Sequence, residues 1–297
     1  MKGETTVTQH SASARAALAM LAGVLVLTLM DAVAKRLLER GMPLAEMMFL
    51  RSVLICTALQ LWFRARGRPE ALRVVDRRGQ LLRGLLGSAA PLLFFAALAR
   101  LPLTAATVVA FASTFTTVIL SVLWLGERVG RWRWAGIVVG YVGVLVAVGP
   151  ASDGPLSGYL LALGASVAIS AFYIVGKRLA VSDSPMSMVN VYNAVLGLVC
   201  LSALPFVWER PDATALVLVT LFAALAIAGQ WLVTTAFSIG DASLVAPLEY
   251  TSLVWVVLLD TLLWGVTPAI HTLAGAAIIV VASLLVWYRE HLVARAS

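Results

Sequence analysis

Long runs of apolar residues dominate the chain, at about 16–36, 44–63, 81–99, 102–125, 132–149, 157–176, 187–208, 214–238, 241–264 and 268–288. Each is close to the roughly 20 residues a helix needs to cross the hydrocarbon of a bilayer. The runs are continuous rather than alternating, so they do not read as strands of a transmembrane barrel. Helix-breaking punctuation separates them: Gly41-Met42-Pro43, Leu101-Pro102, Gly149-Pro150, Gly154-Pro155, Ser184-Pro185, Pro211-Asp212, Gly240-Asp241 and Thr267-Pro268. The pattern predicts an all-α integral membrane protein of ten transmembrane helices. Residues 1–14 are polar and lack the long apolar core of a signal peptide. The first run is therefore expected to be retained.

Composition agrees with lipid as the main solvent. The chain is 61% hydrophobic and 12% charged, against about 45–50% and about 25% in soluble domains. The longest polar stretch, Arg64 to Gln80, is too short to bury a core of its own. A net charge of +7 would suit nucleic acid, but the charges lie in the short connections, where basic residues orient membrane proteins. With the N-terminus in the cytoplasm, sixteen Lys and Arg fall in inside segments, and only Lys35, Arg36, Arg40, Arg100 and Arg210 fall outside. Both termini are thus expected to be cytoplasmic. Cys56 and Cys200 lie in apolar runs and read as free thiols.

The two halves of the chain echo each other. Ala34-Lys35-Arg36-Leu37 ends the first run, and Gly176-Lys177-Arg178-Leu179 ends the sixth, 142 residues on. At an offset of 139, Leu125-Gly126 falls on Trp264-Gly265 and Gly136 on Gly275. The expected organisation is a tail (1–15), a first five-helix repeat (16–149), a linker (150–155), a second five-helix repeat (156–288) and a C-terminal tail (289–297). Because five is odd, the second repeat should enter the membrane from the opposite side, the inverted plan of many secondary transporters.

These features resemble the drug/metabolite transporter superfamily, EamA family. The likeness rests on the ten runs and two repeats, on Phe49-Leu50-Arg51-Ser52, on Leu123-Trp124-Leu125-Gly126-Glu127, and above all on Ala246 through Trp255 with its Pro247-Leu248-Glu249-Tyr250 core. One departure is that Trp264-Gly265-Val266 lacks the acid the family often has there. The resemblance implies a secondary transporter of the bacterial inner membrane working by alternating access. It suggests export of amino acids, aromatic or neutral, and related toxic compounds. The same broad family includes importers of riboflavin and of S-adenosylmethionine, so direction stays open. No cofactor, metal or nucleic-acid partner is expected. The partners are a small organic solute, the lipid bilayer and, as a hypothesis, protons; a monomer is plausible.

Charges within the membrane need a reason. Glu249, two residues after Pro247, is the expected substrate-binding or proton-coupling group. Asp31 and Lys35, four apart, are expected to pair within one helix near the outer interface, with a gating role as the sharper reading. Lys35 and Lys177 are expected to snorkel to headgroups. Arg51 is expected in a structural ion pair, a substrate carboxylate being the alternative, and Asp260 is expected near water. The cavity is expected to draw on Glu249, Tyr250, Trp255, Phe111, Phe115, Thr114, Tyr173, Trp231, Gln230 and Phe95, aromatic walls with a few polar groups. Gly136-x-x-x-Gly140 is expected to pack helices within the chain. A membrane-embedded lipid-modifying enzyme is the rival class. It would need clustered catalytic groups, and His10, His271 and His291 are scattered.

Overall fold

The computed structural model describes residues 2–126, 129–149, 154–179, 183–240 and 245–296; side chains are described for these except 2–13, 133, 177–178 and 289–296. Glu127, the Lys177 side chain, residues 241–244, most of the 150–155 linker, and the side chains of His10 and His291 therefore lie outside the described residues. Among the described residues 86% are helical and there are no strands.

Among the described residues, nine helices are long and apolar enough to span a membrane. We number the spans in chain order: span 1 is Ala14–Glu39, span 2 Leu44–Ala65, span 3 Arg77–Leu98, span 4 Leu103–Leu125, span 6 Leu156–Gly176, span 7 Pro185–Val207, span 8 Ala213–Ile239, span 9 Ala246–Trp264 and span 10 Ile270–Tyr288. Span 5 is the shorter apolar stretch Trp134–Val148, inside the 18-residue helix Arg131–Val148. At about 1.5 Å per residue that helix reaches about 27 Å, close to the bilayer core. The first helix runs back to Lys2 and the last on to Ala296, so the segments expected as tails are helical.

Local chemistry sets the ends. Asp76, Ser184 and Asp212 accept hydrogen bonds from the backbone N–H of Gly79, Ser187 and Ala215, capping spans 3, 7 and 8. Spans 4 and 9 end on Gly126 and Gly265, at φ 67° and 64°. These are the left-handed helix stops that glycine adopts without a Cβ penalty, and they are the two glycines paired by the 139-residue offset. Span 4 breaks at Phe111, between helices Leu103–Ala110 and Ala112–Leu125. Span 9 opens with a 3-10 turn, Ala246–Thr251, before its α-helix. Glu249 therefore sits in a tight turn rather than in the α-helix the sequence suggested.

The closest helix partners are spans 1 and 8, 3 and 6, 2 and 7, and 5 and 10, with further packing of 3 on 7, 2 on 8, 4 on 6, 4 on 9 and 1 on 9. Exchanging the first five spans for the last five maps this set of partners onto itself, although the packing of span 4 on span 5 has no counterpart of similar extent between spans 9 and 10 among the described residues. The exchange holds at residue level: Gly136 has no room for a Cβ because of Val286, and Gly275 has none because of Ala147. Those two contacts interconvert under the 139-residue offset. Gly140 lies against Phe115, so the Gly136-x-x-x-Gly140 stripe packs helices within the chain.

The core is one-sided. Its main cluster takes the end of span 1 (Ala32, Ala34, Leu37), the start of span 2 (Met47, Met48), the end of span 3 (Phe95, Leu98) and the start of span 4 (Leu103, Val108). It continues through the starts of spans 6, 8 and 10 and the later parts of 5, 7 and 9 (Tyr159, Phe222, Ile279, Ala147, Cys200, Val256). Successive helices run in opposite directions, so these ends share one side of the bundle. We call it the sealed side. Toward the side carrying the start of span 1, the main cluster reaches only through spans 4, 5 and 10 (Phe115, Ile137, Ala282), and a small separate cluster, Ala16, Met20, Val24, Ala236 and Val245, joins spans 1, 8 and 9 among the described residues.

Candidate functional site

Helix 4 begins after Pro102, whose side chain makes no capping hydrogen bond. The cap comes from span 9: the Asp260 carboxylate accepts from the backbone N–H of Leu103 at 3.0 Å and Thr104 at 2.6 Å. Lys35 of span 1 reaches the same carboxylate at 3.5 Å and lies over the Trp264 ring at 4.6 Å. Asp260 is 0% exposed and Lys35 7%. Three expectations are thereby corrected. Lys35 pairs with Asp260 rather than with Asp31, it does not snorkel, and Asp260 is away from water. The reason is the same in each case: two helix N–H groups and an ammonium converge on the Asp260 carboxylate and compensate its removal from water. This knot ties spans 1, 4 and 9 on the sealed side.

Toward the other side the bundle is hollow. Tyr173 of span 6 has Glu249 of span 9, Tyr192 of span 7 and Arg83 of span 3 as electrostatic neighbours, yet it is 60% exposed. A side chain approached from three other helices is inside the bundle, so its exposure is to an internal hollow rather than to lipid. Glu249 and Thr114 are also exposed. Tyr250 stacks on Phe111 with centroids 5.3 Å apart, and its phenol lies beside Thr114 and Ser283. Phe111 and Tyr250 are equivalent under the 139-residue offset and sit at the breaks of spans 4 and 9, so the two irregular segments meet face to face. Arg83 stacks on Phe172 at 3.9 Å and donates to the Met188 carbonyl at 3.1 Å.

The other expected residues divide. Phe95 is buried edge-on against Phe222, with centroids 5.6 Å apart, inside the sealed core. Phe115 is buried against Tyr141 and Gly140. Both pack rather than line the hollow. Trp255 packs on the small cluster of spans 1, 8 and 9, and its indole N–H has no partner. Trp231 is 67% exposed. The buried positions of its helix, Ala215, Val219, Phe222, Ala226, Gly229 and Ala236, follow a helical stripe, and Trp231 lies opposite it, toward lipid. Gln230 is exposed and bonds only locally, to Thr234 at 3.5 Å. Asp31 has Arg51 as its electrostatic neighbour, but no ion pair within 4.0 Å joins Arg51 to any acid among the described residues. Arg51 instead rests on the Phe222 ring at 5.2 Å, so the expected structural ion pair does not form. Sequence reasoning missed Arg83 and Phe222. Arg83 was read as an orientation charge, although its place inside the third apolar run marked it as a buried cation.

A bundle of ten apolar helices, sealed at one side and holding ionisable and aromatic groups in a hollow, is a multi-pass membrane protein built to enclose a small solute. Comparison with known proteins places it: the EamA-like transporter family matches residues 14–149 and again 156–288, and the chain belongs to that family. It is a small-molecule transporter. It is 29% identical to the riboflavin transporter of Vibrio cholerae over 269 residues, 89% of this chain and 90% of that one. It is 30% identical to the pseudopaline exporter CntI of Pseudomonas aeruginosa over 82% of this chain and 86% of that one. It is also 30% identical to the S-adenosylmethionine uptake transporter of Rickettsia bellii over 71% and 72%. A crystal structure sharing 20% identity superposes with a TM-score of 0.61 over 93% of this chain and 96% of that one, a likeness of fold.

Proposed function

We propose that the chain is a secondary transporter of the bacterial inner membrane that exports amino acids, aromatic and neutral, and related toxic compounds by alternating access. The observation that supports this most is the one-sided core: the solute-facing groups Tyr173, Glu249 and Thr114 are exposed in the bundle while the opposite side is closed over them. In this reading the halves are inverted repeats, each able to take the other's conformation. The exchange symmetry of the helix partners supports it. With both termini cytoplasmic, as the basic residues favour, the conformation is closed to the outside and open to the cytoplasm. An exporter loads its cargo from this state.

A second reading is uptake of a metabolite, favoured by the names of the riboflavin and S-adenosylmethionine relatives. Proteoliposomes of fixed orientation separate the two. Export predicts that labelled phenylalanine or tryptophan, offered at the cytoplasmic face, is moved out against its own gradient in exchange for protons flowing inward, whereas uptake predicts accumulation only from the other face. Flux of riboflavin with none of any amino acid would reject the export reading. Glu249 is the proposed coupling group: Glu249→Gln should leave exchange of solute intact but abolish the response to a pH gradient. A gradient response equal to wild type in that variant would remove Glu249 from coupling.

A further inference from the structure

Among the described residues, Arg51 is a membrane-embedded cation with no carboxylate within ion-pair distance. An arginine keeps its charge at any accessible pH, and a charge at bilayer depth is retained only where something compensates it. Arg51 enters the bundle from span 2. Phe222 of span 8 lies under its guanidinium at 5.2 Å, Tyr192 of span 7 shares a side-chain hydrogen bond with it, and Asp31 of span 1 is an electrostatic neighbour. Part of the guanidinium is still unmet. Its Nε and Nη1 are buried with no hydrogen-bond acceptor, and Asp31 stays beyond ion-pair distance. The ring beneath it is part of the sealed core, so Arg51 and Asp31 mark the closed end of the hollow. Both residues are half-buried, and because Nε and Nη1 are themselves covered, a solute must shift the side chains over them to reach these donors.

We propose that Arg51 anchors the carboxylate of the transported solute, and that Asp31 beside it takes the solute's ammonium group. This rests on the transporter reading above and adds which residues hold the charged groups of a zwitterionic or monocarboxylate cargo. The choice of carboxylate follows from charge. A guanidinium binds a planar carboxylate through paired N–H donors. A dianionic phosphate would be opposed by Asp31 at the same end of the hollow, and only one unpaired cation is there to meet it. A neutral solute would leave the Arg51 donors as they are. The aromatic groups nearer the open side, Tyr173 and the Phe111–Tyr250 pair, then face the remainder of the solute.

The test uses the full chain in proteoliposomes, with four probes of one shape: phenylalanine, its amide, 3-phenylpropanoate and phenethylamine. Binding is read as protection against thermal unfolding, and transport as flux. Wild type is expected to bind the two carboxylates and to bind the amide and the amine weakly. In Arg51→Gln the carboxylates should weaken by about 10- to 100-fold, the range of one lost charge-assisted contact, with phenethylamine unchanged and Arg51→Lys intermediate. In Asp31→Asn, phenylalanine should weaken relative to 3-phenylpropanoate. Should Arg51→Gln unfold, the wild-type panel decides by itself: equal affinity for phenethylamine and phenylalanine overturns the anchor. Carboxylate protection without flux keeps the anchor and removes amino-acid export. Flux indifferent to the carboxylate keeps the carrier and removes the anchor, and neither protection nor flux rejects both.

Discussion

At Asp260 a single carboxylate does two jobs: it caps the start of span 4 and neutralises Lys35. The two jobs differ in weight, and substitution separates them. Asp260→Ala strips two backbone N–H groups of their acceptor and leaves Lys35 buried and unpaired, a loss of about 3–5 kcal/mol by analogy with broken buried pairs. Lys35→Met leaves both N–H bonds in place and should cost clearly less. The exchanged pair Lys35→Asp with Asp260→Lys should not rescue, because an ammonium cannot accept from the Leu103 and Thr104 amides. Unfolding midpoints in detergent check the order, and a restored midpoint in the exchanged pair would show that charge alone matters. Packing and lining aromatics separate in the same way. Phe95→Ala and Phe115→Ala should each cost about 3–5 kcal/mol, as emptied aromatic sites do. Trp231→Ala, on the lipid side of its helix, should change neither stability nor flux.

At the scale of helices, spans 5 and 10 meet along small residues because nothing larger fits. Gly136 faces Val286, and Gly275 faces Ala147 and the Gly143 carbonyl. A valine at either glycine overpacks the seam, at about 1–3 kcal/mol. Gly275→Val should cost more, because a Cβ there meets the Gly143 carbonyl and the Ala147 backbone, whereas at Gly136 it meets the end of the Val286 side chain. Gly130→Ala is the control, because a Cβ there meets nothing within 4 Å. A mild Gly275→Val beside a severe Gly136→Val would contradict this. The open side has its own strap: Asp183 accepts from the Val75 and Asp76 amides, and Ser184 donates to the Ala71 carbonyl. The connection between spans 2 and 3 is thereby tied to the one between spans 6 and 7. How much of this the sequence showed depends on the range of the interaction. The glycine stops at Gly126 and Gly265 and the Ser184 cap were legible because their signals are local. The break at Phe111 was not, because no proline or glycine marks it. The Lys35–Asp260 pair joins residues 225 apart in the chain, whereas Asp31 stood four positions away and offered the easier reading.

At the scale of the molecule, the all-helical membrane-spanning architecture was readable because hydropathy belongs to the chain itself. Which aromatics face the hollow was not, since an apolar side chain serves lipid, core and cavity equally well in sequence. The burial of Phe95 and the lipid-facing position of Trp231 are set by helix rotation, which only packing fixes. The one-sided core is also a property of the assembled bundle. It places the Lys35–Asp260 knot and the Phe95–Phe222 contact in the closed barrier. Transport by alternating access requires both to part when the opposite side shuts.

The most direct test is to place a single cysteine at Tyr173, in a chain whose Cys56 and Cys200 have been replaced, and to label it with a membrane-impermeant thiol reagent from each face of oriented vesicles. The account predicts reaction from the face carrying the N-terminus at rest. Accessibility from the other face should appear when cargo drives turnover. Labelling confined to one face under every condition, or absent from both, would contradict a hollow that opens alternately to the two sides.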